Sequence, residues 1–216
     1  MIRQFGLETC LLLIDVQVGV DDVVHWGGEK GRRNNIDAER SMLSLLSDWR
    51  KAGLPVAFTL HDSVEKDSPL KLDLPGGSLK EGFSVQEDDI CVVKHANSGF
   101  VGTSLHEELK LKEITRLVVV GFFTNMCVET TVRMAGNMGY DTYLVPEGCS
   151  TTNRVGLDGF DYDPEDVHNM TVANLHGEFC TAINLSDAVT LLHSDASYLL
   201  RCLLYTSPSP RDKRQS

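Results

Sequence analysis

The sequence predicts an α/β fold: a three-layer α-β-α sandwich on a mainly parallel, Rossmann-like sheet of about six strands. Three observations lead there. Short apolar runs recur as CLLLI (10–14), PVAFTL (55–60), ICVV (90–93), RLVVV (116–120), DTYLV (141–145) and CTAI (180–183). They are continuous rather than alternating, which suits strands buried on both faces and hence a parallel sheet. Between them lie stretches of helical spacing, so strands and helices alternate.

Taken in order, the first run ends at Asp15. Residues 36–52, IDAERSMLSLLSDWRKA, then place Met42, Leu45, Leu46 and Trp49 on one helical face, with Asn34 or Asn35 as the expected cap and Gly53 as the stop. The runs at 55–60 and 90–93 follow as strands, then a helix over 104–112 and the strand at 116–120. A helix over 126–138 is stopped by Gly139, and the strand at 141–145 comes next. A helix over 164–176 opens on Pro164, the strand at 180–183 follows, and a helix over 186–193 is capped by Ser186. Two long irregular segments, 17–35 and 61–88, break the alternation; loops of that length in a compact domain usually carry function, here substrate selection.

Bulk properties narrow the classes. A chain of 216 residues, 42% hydrophobic and 24% charged, buries roughly 70% of its unfolded surface on folding. The net charge of −11 and a pI near 5.0 oppose a long phosphate backbone, and the one basic cluster, Lys30, Arg32 and Arg33, is too short to reverse that, so no nucleic-acid partner is expected. No apolar run approaches the ~20 residues of a membrane span, and MIRQFGLET lacks a signal-peptide core, so a cytoplasmic protein without a membrane partner is expected. Six cysteines, at 10, 91, 127, 149, 180 and 202, form no CxxC pair, which points away from a disulfide framework or zinc site. From Cys202 the chain reads CLLYTSPSPRDKRQS, whose first part resembles a translated sequencing-library adapter. Residues 1–201 are therefore expected to be a single domain and 202–216 a non-native tail.

Ligand sites in open α/β sheets lie beyond the carboxyl ends of the strands. Asp15 directly follows the first run, Lys94 follows ICVV, and Cys127 follows RLVVVG after the connector FFTNM. Singly, such residues are commonly a cap, a solvated strand end and a core thiol. Together they have a chemistry: a helix N-terminus and a nearby cation favour a thiolate, and a carboxylate can take the thiol proton and later hand it to a leaving amine.

Three segments, LLLIDVQ (11–17), VVKHANSGFVGTSL (92–105) and VVVGFFTNMCVETTVRMAGNMGYDTYLVPEG (118–148), resemble the isochorismatase-like hydrolases, which include nicotinamidases and other cysteine amidases. The resemblance covers about residues 8–195. It implies an isochorismatase-like fold, a catalytic triad of Asp15, Lys94 and Cys127, and a cis peptide bond at Phe122 and Phe123. It further implies an oxyanion hole from the backbone N–H groups of Phe123 and Cys127. Phe100 and Phe123 are expected as apolar walls, with Gln17 and His61 as polar contacts to a small-molecule substrate. A homo-oligomer, dimer or tetramer, is implied as well.

Nicotinamidases add a metal site with an Asp-x-His pair after the second strand. Here the text is TLHDS, with Thr59 in place of the acid and His61 retained, so no catalytic metal and no cofactor are expected, and nicotinamide becomes a less favoured substrate. The expected reaction is C–N cleavage of a small amide through an acyl-thioester on Cys127. The alternatives are vinyl-ether hydrolysis, which has no use for a thioester, and a non-catalytic scaffold. His168 and His176 read as helix-surface or interface residues, and Arg32 and Arg33 as solvated loop charges ahead of contacts to an anionic substrate.

Overall fold

A computed structural model describes residues 2–193. The expected domain end at 201 and the adapter-derived tail over 202–216 lie outside the described residues. The chain runs β1 (Thr9–Ile14), α1 (Val23–Gly27), α2 (Ala38–Lys51), β2 (Val56–His61), β3 (Ile90–Lys94), α3 (Leu105–Leu111), β4 (Arg116–Phe122) and α4 (Glu129–Asn137). It continues with β5 (Asp141–Ser150), the short β6 (Arg154–Val155) and β7 (Asp161–Tyr162), then α5 (Pro164–Leu175), β8 (Thr181–Ala182) and α6 (Leu185–Leu192). Six strands form one sheet in the order β3-β2-β1-β4-β5-β8, every pair parallel, while β6 and β7 make a separate antiparallel ribbon.

The alternation of side chains along β1 shows how the layers form. Leu11 and Leu13 join Met42, Leu45, Leu46 and Trp49 of α2 and Leu192 of α6 on one face. Cys10, Leu12 and Ile14 join Leu105 and Leu109 of α3, Val132 of α4 and Leu175 of α5 on the other. A continuous apolar run is what a strand with helices on both sides requires. β3 departs from that reading: Ile90, Val92 and Lys94 are buried but Cys91 and Val93 are exposed, because β3 is an edge strand with one face left uncovered.

Helix ends follow local chemistry with two corrections. Gly53 and Gly139 adopt φ of 67° and 87° after α2 and α4, as their stop positions require. The cap of α2 is Asp37 rather than Asn34 or Asn35. Asn35 instead donates to the carbonyls of Glu147 (2.9 Å) and Cys149 (2.7 Å), and Asn34 accepts from the Thr151 N–H at 2.8 Å, so both tie the first long loop to the end of β5. α6 is capped by Asn184, whose side chain accepts from the Asp187 N–H at 2.8 Å, not by Ser186. The predicted helix over 126–138 is divided: a π-helical turn, Thr124–Val128, precedes α4.

The two long segments are pinned to each other. Val18 N–H donates to Ser78 O at 2.8 Å and Lys80 N–H to Val16 O at 3.1 Å. Arg33, expected to be solvated, is only 12% exposed; it makes a two-pronged pair with Glu39 (2.8 and 2.7 Å) and lies over the Phe122 ring at 5.3 Å. Arg32 pairs with Asp161 at 2.7 Å. Among the described residues no helix is long and apolar enough to cross a membrane.

Gly121 sets how closely the two central strands end. Its φ is 134°, the β4–β5 register shifts beside it, and a Cβ there would run into the backbone of Ile14. The residues after β1 and β4, Asp15 and Phe123 to Cys127, are thereby brought side by side.

Candidate active site

The carboxyl ends of four parallel strands each deliver a reactive side chain. Asp15 follows β1 with φ of 50°, His61 ends β2, Lys94 ends β3, and Cys127 sits in the π turn after β4. Lys94 is fully buried, which removes it from the solvated-end reading. Its Nζ lies 2.7 Å from Asp15 Oδ2, 2.7 Å from His61 Nδ1, 3.3 Å from Cys127 Sγ and 3.1 Å from the Ala96 carbonyl. A buried ammonium demands such company, because desolvation without compensating partners is prohibitive.

The Asp15 carboxylate is asymmetric. Oδ1 accepts a 2.6 Å hydrogen bond from the Thr59 hydroxyl, while Oδ2 faces Lys94 without a well-directed hydrogen bond of its own. A carboxylate oxygen of Asp15, a ring nitrogen of His61 and Cys127 Sγ all lie within 4.8 Å of one another.

The Phe122–Phe123 peptide bond is cis. The Phe123 carbonyl accepts from Met126 N–H (2.9 Å) and Val128 N–H (3.3 Å), passing over Cys127 between them, which is how the π turn arises. The Phe123 ring packs on Trp26 at 5.2 Å, so α1 of the first long loop roofs this side.

These observations fit one established architecture. The family model "Isochorismatase domain" matches residues 9–184. The chain belongs to the isochorismatase family. It is 36% identical over 182 residues to the uncharacterized isochorismatase family protein YrdC of Bacillus subtilis (strain 168), covering 84% of this chain and 95% of that one. It is 30% identical over 222 residues to the ureidoacrylate amidohydrolase RutB of Agrobacterium fabrum, covering 85% and 93%. A solved structure from the isochorismatase family of Chromobacterium violaceum superposes with a TM-score of 0.81 at 37% identity, covering 89% of this chain and 97% of that one. The three-layer sandwich on a parallel six-stranded sheet is the fold of that family, and the chain is an isochorismatase-family hydrolase.

The electrostatics of this hydrolase revise the state expected for Cys127. Burial, and next the Asp15 carboxylate, push its thiol well above the ordinary range, with Lys94 acting in the opposite sense. That direction favours a thiol over a standing thiolate at Cys127. His61 is held below its usual value by burial first and by Lys94 second, so the ring is neutral and Nδ1 is the lone pair that receives the ammonium.

A metal of the nicotinamidase kind does not fit these residues. The hydroxyl of Thr59 is given to Asp15, the Nδ1 of His61 is taken by Lys94, and the Lys94 ammonium itself stands among the three donors that could otherwise surround a cation. The positive charge of the site is built into the chain.

Two expected contacts are corrected or reassigned. Gln17 is fully buried; its amide donates to His61 O (3.1 Å) and Gly77 O (2.9 Å) and accepts from His61 N–H (2.7 Å). It pins β2 to the second long loop and has no surface left for a substrate. Phe100 is buried and stacks on Tyr140 at 5.8 Å within the core that also holds Cys127. Two neighbours carried no weight in the sequence. Thr59 registers there only as a lost metal ligand, and Asn97, exposed with Oδ1 3.9 Å from Cys127 Sγ, sits unremarked in VVKHANSGF.

His168, expected on a helix surface, is buried, with Nδ1 2.8 Å from the Thr124 hydroxyl at the start of the π turn. Burial lowers its pKa from the ordinary 6.5. The unfolded chain therefore takes up a proton as pH falls through about 6.5 that the folded chain refuses until lower pH, so stability declines over that window. His168→Gln is expected to flatten the fall of the thermal midpoint from neutral to mildly acidic pH; an unchanged slope would count against this linkage.

Proposed function

We propose that this isochorismatase-family hydrolase cleaves the C–N bond of a small amide-like molecule through an acyl-thioester on Cys127, without a metal. One observation carries the reading: the Lys94 ammonium touches both Asp15 Oδ2 (2.7 Å) and Cys127 Sγ (3.3 Å). Proton donor, proton acceptor and a charge that serves both are in contact.

Asp15 accepts the Sγ proton as the sulfur attacks the carbonyl carbon. Lys94, set between the two groups, offsets the negative charge as it passes from carboxylate to sulfur, so the transfer needs no standing thiolate. The tetrahedral oxyanion is received by the backbone N–H groups of Phe123 and Cys127. The Cys127 N–H is not claimed by the Phe123 carbonyl, which supports this assignment. Asp15 then returns the proton to the departing nitrogen as the C–N bond breaks. Water, deprotonated by Asp15, attacks the thioester, and the acid leaves with Cys127 restored as a thiol. His61, neutral and partly exposed, and Asn97 present hydrogen-bonding groups toward the substrate side.

The ureidoacrylate amidohydrolase among the relatives supports C–N chemistry for this chain, and ureido and simple carboxamide compounds are the first to assay. Alkylation of Cys127 with iodoacetamide, confirmed by peptide mass spectrometry, is expected to abolish release of ammonia or amine from the active member of such a panel. Turnover that persists on the fully alkylated enzyme would rule out the covalent route.

A further inference from the structure

We propose that Thr59 is a positioning residue for the proton transfer, orienting the Asp15 carboxylate so that Oδ2 is the oxygen that exchanges the proton with Cys127. This inference rests on the cysteine hydrolase reading above and adds to it a residue for which the sequence offered only a missing metal ligand.

The geometry is a closed local cycle. Thr59 and Ile14 are register partners on the parallel strands β2 and β1, which sets the Thr59 side chain beside the residue after β1. The Thr59 hydroxyl donates to Asp15 Oδ1 at 2.6 Å, and Thr59 Oγ1 in turn accepts from the Asp15 backbone N–H at 3.2 Å. That N–H is also directed at the Thr59 carbonyl, at 3.1 Å. Backbone and side chain of Asp15 are thus both fixed by one residue. Thr59 is fully buried.

A hydroxyl has a single proton to donate, and here it is given to Oδ1. Oδ1 is thereby occupied in the ionised state, while Oδ2 faces Lys94 and retains the uncommitted lone pair. When Cys127 reacts, the Sγ–H bond breaks, an Oδ2–H bond forms, and the electron pair left on sulfur enters the new C–S bond. The groups around Asp15 that tune this exchange are Lys94 from β3, His61 from β2 and Cys127 from the π turn. A hydrogen-bond donor to a carboxylate favours its ionised form, and a hydroxyl-deleted variant loses that donor.

The test follows the rate at which iodoacetamide labels Cys127 across the acid and neutral range, alongside turnover on any amide found active. The wild type and Thr59→Ser are expected to share a rate that is flat through neutral pH and falls on an acid limb. In Thr59→Val the acid limb moves up by about one pH unit, labelling on that limb drops about tenfold, and kcat falls with little change in KM. Thr59→Ala, which removes the hydroxyl without setting a second methyl against the carboxylate, is expected to behave the same way if the valine variant folds poorly. A reactive Cys127 whose acid limb stays put in both hydroxyl-deleted variants, or a serine variant that fails to restore it, overturns the orienting role alone. A wild-type Cys127 that labels no faster than buried Cys10 overturns the cysteine reading and this inference with it.

Discussion

Cys127→Ala is expected to lower turnover of the amide substrate by at least about 10 000-fold, the scale seen when a covalent nucleophile is removed from an otherwise intact site. The thiol is 7% exposed and set among Lys94, His61 and Asn97, so removing one sulfur leaves the surrounding charges paired with one another. The fold should be retained and the loss should lie in kcat. A steady-state comparison on the same amide, with the thermal midpoint as a control for folding, checks this. Substantial residual activity on the amide would rule out the covalent route, and a vinyl ether hydrolysed equally well by wild type and Cys127→Ala would favour vinyl-ether hydrolysis, in which no bond to sulfur is formed.

Lys94→Met is expected to destabilise the protein by about 3–5 kcal/mol, because it strands the buried Asp15 carboxylate with the Thr59 hydroxyl as its remaining side-chain donor. For a chain of this length that is roughly 6–20 °C in the thermal midpoint. Asp15→Asn is expected to be costly for the converse reason, an ammonium left without its carboxylate. The double variant Asp15→Asn with Lys94→Met removes both charges together and should recover most of the lost stability while remaining inactive. Calorimetric midpoints of the four proteins measure this coupling. Strictly additive losses would show that the two groups do not depend on each other.

That stability pattern also marks the limit of what was legible in one dimension. The sheet was readable because its strands are continuous apolar runs, and burial on both faces imposes that pattern on any strand between two helical layers. The two edge strands depart from it: β3 leaves Cys91 and Val93 exposed, and β8, reduced to Thr181–Ala182, leaves Thr181 exposed. Asp15, Lys94 and Cys127 could be singled out because parallel strands all deliver their carboxyl ends to one edge, and a residue type just after an apolar run is visible without knowing the strand order. Helix caps were less legible. Asn34 and Asn35 have the chemistry of caps, but the partners they chose lie more than a hundred residues away at the end of β5.

The sequence by itself therefore determined the fold class, the edge of the sheet where the candidate site stands and the three residue types standing there. Those follow from hydrophobic periodicity and strand polarity, which are local properties of the chain. The tertiary structure alone decided how those residues are arranged. It buried Lys94 among Asp15, His61 and Cys127, turned Thr59 from an absent metal ligand into a donor to Asp15, consumed Gln17 in holding a loop, and pushed the Cys127 thiol upward through burial. Each of these depends on distances of a few ångströms between strands far apart in sequence and on the removal of water from between them. Charge, protonation and hydrogen-bond assignment are set by that desolvated neighbourhood.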